Sequence, residues 1–555
     1  MQTSPRPSNF SKLSGCWPWL FILLVILFVG FIRFRLLDMP LERDEGEYAY
    51  AGQLILQGVP PYELACNLKL PGTYYAYALG MAVFGQTTSG VHLTVLVVDS
   101  LLIIFVFLLG RELFDATAGA AAGASFGLMS VSPAVLGMAG HANFFVLLFA
   151  LPATLLLARG GEKRTPLILL LSGLLYGTAF LMKQQGVFVG LFGIIAILLF
   201  QLRQHPFKEI VAVGRRSLAN TGANVAIFAA AFVLPFALIC LFFYTLGIFS
   251  KFWFWTVTYA RIYETALPWS YGASSLSGHL DATFGQSALL WALAVGGAWL
   301  GLRRPEFRRQ TVFALLFWVF SFLATASGLY FRRHYFILLL PAFALLAGLF
   351  ATAAQKTLLP KINARLALWT PLGILVLALG WNLACQNEVL FKLSPERTSQ
   401  IVYPGNPFVE APKVADYLRA HAPGTARIAV IGSEPEIYFH SRLRSATAFI
   451  YTYDLMQPQP YAVTMQQEME QEIESNQPEY LVYVSYENSW IVRSDSNQGI
   501  FDWFDKYTAD HYEQVGLVQT TPDLKTECYW DEAAAKISEA DIEHLHLTLF
   551  RRKGG

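Results

Sequence analysis

The chain has 555 residues, of which 55% are hydrophobic, 15% aromatic and only 14% charged. Soluble globular proteins carry roughly 25% charged residues, so this composition excludes a disordered chain and an ordinary cytosolic enzyme. Its 40 basic and 39 acidic residues leave a formal net charge of +1, which provides no basic field for nucleic acid. The length exceeds one typical domain, and the class is a polytopic α-helical membrane protein. The five cysteines, Cys16, Cys66, Cys240, Cys385 and Cys528, show no CxxC or Cys/His zinc spacing, so no structural metal is implied. Cys16, Cys240 and Cys385 lie in or beside apolar segments and read as small core residues. Cys66 and Cys528 are the pair able to face one compartment, with a disulfide the less favoured reading.

Apolar runs of about 17 to 25 residues mark membrane spans. The first, 17–32, is too long and too poor in small residues for a cleaved signal peptide and reads as a signal-anchor. Others lie near 91–110, 116–133, 144–159, 165–182, 186–202, 222–246, 284–302, 311–329, 336–354 and 367–385. The total is about eleven spans, which puts the two termini on opposite sides. Gly119-Ala-Ala-Ala-Gly123 is a GxxxG pattern inside one of these runs and reads as a helix-packing seam. Four loops are basic: Arg159, Lys163 and Arg164; Arg203, Lys208, Arg215 and Arg216; Arg303, Arg304, Arg308 and Arg309; Lys356, Lys361 and Arg365. They fall on the same side as Arg6 and Lys12, which the positive-inside rule makes cytoplasmic. The N-terminus is therefore expected inside and the C-terminal region outside.

The expected division is a transmembrane domain, 1–386, with a long first extracytoplasmic loop at about 33–90, and a soluble extracytoplasmic α/β domain, 387–555. Within the latter, 409–421 and 465–475 have helical periodicity, and 426–431, 480–484 and 545–550 read as strands. Ile431-Gly-Ser-Glu434 is a turn after a strand, but without GxGxxG it gives no nucleotide signature.

The outer loops hold charges that topology does not explain. The first contains Glu42-Arg-Asp-Glu-Gly-Glu-Tyr48, opening a helix to Gln57. Carboxylates beside a membrane are expensive unless paired or used; the plain alternative is a solvated loop whose Asp44 and Glu45 serve a helix N-terminus. Next come Gly58-Val-Pro-Pro-Tyr62, a turn, and Lys69-Leu-Pro71, opening a short helix to Phe84 expected to lie flat in the interface with its tyrosines at headgroup level. Lys183-Gln-Gln separates two spans, Trp253 to Tyr263 is an aromatic segment containing Arg261, and Tyr330-Phe-Arg-Arg-His-Tyr335 joins two more spans. Each fits interfacial anchoring. A pair of arginines on the outer side nevertheless runs against topology, and arginine forks match phosphate oxygens. Around one cavity, Lys69, Lys183, Arg261, Arg332 and Arg333 would form a phosphate-binding ring facing the carboxylates of the first loop.

These residues resemble the GT-C superfamily of polyprenyl-phosphate-sugar-dependent glycosyltransferases, with the nearest look to bacterial relatives of protein O-mannosyltransferases and of the lipid A aminoarabinose transferase. Arg43-Asp-Glu-Gly-Glu-Tyr48 is similar to the family's acidic motif after the first span; Gly58 to Tyr62 with Lys69 to Pro71, Leu181-Met-Lys-Gln184, and Arg333-His-Tyr335 with Pro341 are similar to further blocks. By that resemblance Asp44 is the catalytic carboxylate and Glu45 a supporting acid or structural partner. Lys69, Lys183, Arg332 and Arg333 would contact the donor phosphate; the expected substrate site also includes Tyr48, Tyr62, Arg261, Tyr263, His334 and Tyr335. Where the family commonly has another acid, after the third span, this chain has His141 and Asn143 and no carboxylate. A divalent cation therefore lacks a clear ligand set.

The expected function is transfer of a sugar from a polyprenyl-phosphate donor to a hydroxyl acceptor (lipid, glycan or protein), at a bacterial inner membrane and on its outer face. The leaving phosphate needs charge neutralisation, and one base, Asp44, with no evident nucleophile, implies inversion. The alternative within this chemistry is en bloc oligosaccharide transfer. A lipid-linked sugar transporter or flippase, or an envelope scaffold, fits less well, because no internal repeat is evident and the polar residues gather at the outer ends of spans.

Overall fold

The computed structural model describes residues 16–160, 165–202, 207–537, 542 and 544–554. Arg6, Lys12, Lys163, Arg164 and Arg203, used above for orientation, lie outside the described residues. The chain forms two compact units that are not sequential: Met1–Arg35, Val95–Leu241 and Glu264–Lys392 make one, and Leu36–Thr94, Phe242–Tyr263 and Leu393–Gly555 the other. The first loop and a short aromatic segment thus group with the C-terminal residues.

Eight helices among the described residues are long and apolar enough to cross a membrane: Trp17–Arg35, Thr88–Leu113, Ala142–Gly160, Asn220–Thr245, Gly285–Arg303, Pro305–Leu329, Arg333–Leu358 and Ala364–Cys385. Many carry large apolar side chains turned outward, such as Leu24 at 63% exposure and Leu377 at 71%. Such a surface suits lipid and not water; the chain is a multi-pass membrane protein. The other three expected spans are shorter helices, Pro166–Met182 and Gly186–Leu202 with 17 residues each and Ala116–Ser130 with 15.

Ala116–Ser130 is buried from Ala118 onward. Its alanines and glycines carry too little bulk to present to lipid but allow close approach. A Cβ at Gly119 would meet the Phe107 carbonyl oxygen at 2.6 Å and the Arg111 nitrogen at 2.7 Å. The GxxxG seam is therefore a backbone-to-backbone contact with Thr88–Leu113.

The second unit is built on a six-stranded sheet: β1 (Arg427–Ile431), β2 (Arg444–Ser445), β3 (Tyr480–Ser485), β4 (Tyr512–Thr520), β5 (Thr526–Trp530) and β6 (His546–Arg552), in the order β2-β1-β3-β6-β4-β5. β1 runs parallel to β2 and β3, whereas β6 is antiparallel to β3 and β4. The central register sets Val430 beside Val482 and Val482 beside Leu549. These near-continuous apolar strands are covered on both faces. Helices Ala411–His421 and Ala462–Asn476 fall where their periodicity placed them. β2 is too short to leave a pattern, and β4 loses its alternation at an irregularity between Gln514 and Gly516. Cys66 is buried and Cys528 exposed, both as free thiols.

The first loop adds helices Arg43–Leu56 and Gly72–Phe84 to this unit. The second was expected to hold its tyrosines at headgroup level. Instead Tyr74 and Tyr77 are buried in protein, with the Tyr77 ring edge-on to Tyr48 at 5.3 Å, while Leu79 and Val83 face outward.

Replacing Gly119 by Val should lower the melting temperature of the detergent-solubilised protein. Overpacking a closed contact costs about 1–3 kcal/mol. An unchanged midpoint would show that the seam opens freely.

Candidate functional site

The helix Arg43–Leu56 begins with a capping box: the Glu42 side chain accepts the Glu45 N–H at 3.0 Å, and Glu45 Oε2 accepts the Glu42 N–H at 3.3 Å. Glu45 Oε1 also lies 3.3 Å from Nε2 of His92 and its side chain is wholly buried. Glu45 is thereby built into the helix end. Burial, with Asp44 and Glu45 beside it, pushes the Glu42 carboxyl well above the usual range.

Asp44 and Glu47, three residues apart, share a face of the helix. Lys69 Nζ sits between them, 2.6 Å from Asp44 Oδ1 and 2.5 Å from Glu47 Oε2. Glu47 also accepts hydrogen bonds from Asn67 (3.0 Å) and the Tyr74 hydroxyl (2.6 Å). Asp44 Oδ1 accepts one from Tyr451 at 3.2 Å. The Lys69 ammonium stands 4.7 Å from the centre of the Tyr48 ring, and Tyr62 donates to the Lys69 carbonyl at 2.8 Å. Burial works against the charge on Lys69, but Asp44 and Glu47 more than reverse this and hold its pKa well above the ordinary lysine range. Burial raises the Glu47 carboxyl, against the opposing pull of Lys69. One ammonium thus serves two buried carboxylates. Of the expected ring, Lys69 is committed to these acids.

Arg43 points away from them. Its Nε donates to the Ser433 carbonyl at 2.5 Å, Nη2 to Glu434 Oε1 at 2.7 Å, and Nη1 to Asn406 at 3.0 Å and the Tyr453 hydroxyl at 2.7 Å. The turn after β1, which lacks a nucleotide signature, is the receptor for this guanidinium. Gly46 follows it in: a Cβ there would lie 2.7 Å from the Glu436 nitrogen.

In the membrane unit, the segment 131–141 is pinned from two sides. Arg33 is buried in an ion pair with Asp99 at 2.8 Å and donates to the carbonyls of Gly137 (2.9 Å) and Met138 (3.3 Å). Arg333 donates to the carbonyls of Ala134 at 3.1 Å and of Pro133. The pinned segment delivers His141 and Asn143. His141 stacks on His334 with centroids 4.3 Å apart, and His334 meets Tyr335 edge-on at 4.8 Å. Lys183 lies 4.0 Å from the centre of the Tyr335 ring and donates to Asn143 at 3.1 Å. Lys183, Arg333, His334, Tyr335, His141 and Asn143, scattered along the sequence, are therefore neighbours within this unit. Arg332 is half-buried, 5.5 Å from the centre of the Tyr330 ring.

Arg261, in the second unit, is exposed on the helix Ala260–Glu264, where Tyr263 is buried. The aromatic segment before them is built into protein: the Tyr259 hydroxyl donates to Asp454 at 2.9 Å, and Trp255 packs edge-on against Phe449 at 6.0 Å. Glu47, Arg43, Tyr451 and Asn67 were missed from sequence. The three-residue spacing of Asp44 and Glu47 was a usable signal for Glu47; no local pattern announces Tyr451.

A family model described as dolichyl-phosphate-mannose-protein mannosyltransferase matches residues 69–214. The chain is 31% identical over 186 residues to the undecaprenyl phosphate-alpha-4-amino-4-deoxy-L-arabinose arabinosyl transferase of Pseudomonas aeruginosa, covering 31% of this chain and 32% of that one. It thus spans about a third of the length of this curated relative. Among solved structures, ArnT from Cupriavidus metallidurans bound to undecaprenyl phosphate is similar with TM-score 0.53 and 17% identity over 84% of this chain and 93% of that one. The archaeal oligosaccharyltransferase AglB from Archaeoglobus fulgidus, in complex with an inhibitory peptide and a dolichol-phosphate, is similar with TM-score 0.52 and 14% identity over 96% of this chain and 75% of that one.

Replacing Lys69 by Met should destabilise the protein by about 3–5 kcal/mol, the cost of stripping a buried charge of its partner. Further replacement of Glu47 by Gln should recover part of the lost melting temperature. Independent, additive effects of the two substitutions would show that the ion pairs are not coupled.

Proposed function

We propose that this chain, whose fold is shared with ArnT and AglB, is an integral-membrane glycosyltransferase of the GT-C type, moving a sugar from a polyprenyl-phosphate donor to an extracytoplasmic hydroxyl acceptor. The observation that carries the reading is Asp44: a buried carboxylate held by Lys69 and Tyr451 at the first turn of a helix, where the helix dipole also favours negative charge. The arabinosyl transferase likeness and the undecaprenyl phosphate bound to the structural neighbour support the donor class. The basic loops support an N-terminus in the cytoplasm and the sheet-bearing unit outside, in a bacterial inner membrane.

In this reading the domain boundary near residue 386 separates catalytic spans from an outer domain. Lys183, Arg332 and Arg333 neutralise the donor phosphate, with Tyr335 and His334 shaping its seat and His141 and Asn143 behind them. Asp44 takes the proton of the acceptor hydroxyl as its oxygen bonds the anomeric carbon. The bond from that carbon to the phosphate oxygen breaks, and the phosphate leaves with the electron pair. Attack opposite the leaving group inverts the anomeric centre. Lys69 pairs with Asp44 at 2.6 Å, and Glu47 shares the lysine charge. Arg261 and Tyr263 belong to the proposed substrate-binding set. Phosphate neutralisation is the larger catalytic contribution, because charge develops there in a low-dielectric site. Transfer of one sugar is preferred to en bloc oligosaccharide transfer, because the matched arabinosyl transferase carries a single sugar in its name.

Asp44→Asn should keep its melting temperature and lose about 10²–10⁴-fold in transfer rate, the usual cost of removing a general base. Near-normal turnover would remove Asp44 from the role. Lys183→Ala and Arg332→Ala should each weaken binding of undecaprenyl phosphate by about tenfold, as expected for a lost charge-assisted contact. Wild-type affinity in both would leave these residues as interfacial anchors.

A further inference from the structure

A hollow of about 610 Å³ opens within the second unit, apart from the hydrogen bonds of the Asp44 cluster. Its volume lies inside the range of about 300–1,000 Å³ usual for small-molecule sites. Phe254, Trp255, Phe449 and Tyr461 give it aromatic walls, and Lys251 and Glu468 are polar members of its lining. Edge-to-face contacts fix these rings: Trp255 to Phe449 at 6.0 Å and Phe254 to Tyr461 at 5.1 Å. Phe254 and Trp255 open a six-residue π-helical turn, Phe254–Tyr259, a distortion that tends to occur at functional sites.

Two stretches of the lining lie close in sequence to the partners of Asp44. The Cys66 N–H donates to the Ala448 carbonyl at 2.8 Å, joining two stretches of chain that both line the hollow. Three residues beyond Cys66 is Lys69, and two beyond Phe449 is Tyr451, and both of these hold Asp44. Glu472, also in the lining, braces the second stretch by accepting the Thr447 hydroxyl at 2.7 Å and the Ala448 N–H at 2.8 Å.

The lining discriminates among ligands. Two carboxylates, Glu468 and Glu472, against one lysine disfavour a phosphate. Gln471, Ser475 and Asn476 make it too polar for a prenyl chain. Aromatic faces beside carboxylates and amides match a sugar ring, whose C–H face packs on an aromatic and whose hydroxyls need donors and acceptors. Burial pushes the Cys66 thiol up to about 12, so it stays protonated and offers no nucleophile.

We propose that this hollow is a saccharide subsite, seating a sugar ring of the acceptor on stretches of chain that also carry the partners of Asp44. The assignment to the acceptor rests on the transferase reading above; the binding of a saccharide does not.

The test uses the full chain in detergent with methyl glycosides of hexoses and hexosamines, read by saturation-transfer NMR and tryptophan fluorescence. At least one glycoside should bind saturably. Tyr461→Ala and Glu468→Gln, each with an unchanged melting temperature, should weaken it by about tenfold, the size of one lost stacking or polar contact. No glycoside bound, or equal binding in both variants, overturns the proposal. Undecaprenyl phosphate binding by the wild-type protein is measured in parallel. Its loss with glycoside binding retained would count against the transferase reading and leave the saccharide site standing.

Discussion

Lys69 is one ammonium held by two buried carboxylates, and the architecture of the second unit follows from that arrangement. The lysine arrives from a turn fixed by the buried Tyr62, whose hydroxyl donates to the Lys69 carbonyl. Asp44 and Glu47 arrive from one helix face. Taking three charges out of water is costly unless each is paired and its remaining bonding capacity filled. Asn67, Tyr74 and Tyr451 supply those bonds. Removing Lys69 leaves both acids with charges they cannot shed to solvent, whereas removing either acid leaves the lysine its other partner.

The helix start that carries this cluster uses every direction it has. Successive residues on a helix are rotated by about 100°. Arg43 therefore reaches the turn after β1, Asp44 and Glu47 reach Lys69, and Glu45 turns to the cap and His92. Gly46 has no side chain because Glu436 occupies the space. A loop that a linear reading assigns to the membrane domain is tied in this way to residues nearly 400 positions later. The membrane unit solves a parallel problem with arginine: Arg33 and Arg333 grip carbonyls of segment 131–141 and set His141 and Asn143 beside Lys183 and His334.

Membrane class, helix positions and the main strands were legible because hydrophobic runs and periodicity are local properties. Lys183, Arg333, His334 and Tyr335 were singled out as polar residues at the outer ends of spans, His141 and Asn143 by the family resemblance, and all six are neighbours in one unit. Three things were not legible. The shortness of Ala116–Ser130 reflects a protein-buried helix, which hydropathy cannot tell from a lipid-facing one. The Lys69 charge was assigned to phosphate because its ion pairs depend on a fold-back of the chain. The tyrosines of Gly72–Phe84 looked interfacial, although Tyr74 serves Glu47. In each case the deciding contact is tertiary, and the sequence shows only that a polar group must find some partner.

The central claim is that the cations gathered around Lys183 hold the phosphate of a polyprenyl-linked donor. A polyprenyl phosphate bearing a photoreactive group on the carbon next to the phosphate, irradiated with the purified protein, measures this directly by mass spectrometry of the labelled peptides. The expected result is labelling of peptides containing Lys183 or Arg332–Arg333, suppressed by excess undecaprenyl phosphate. Absence of suppressible labelling on these peptides would contradict it.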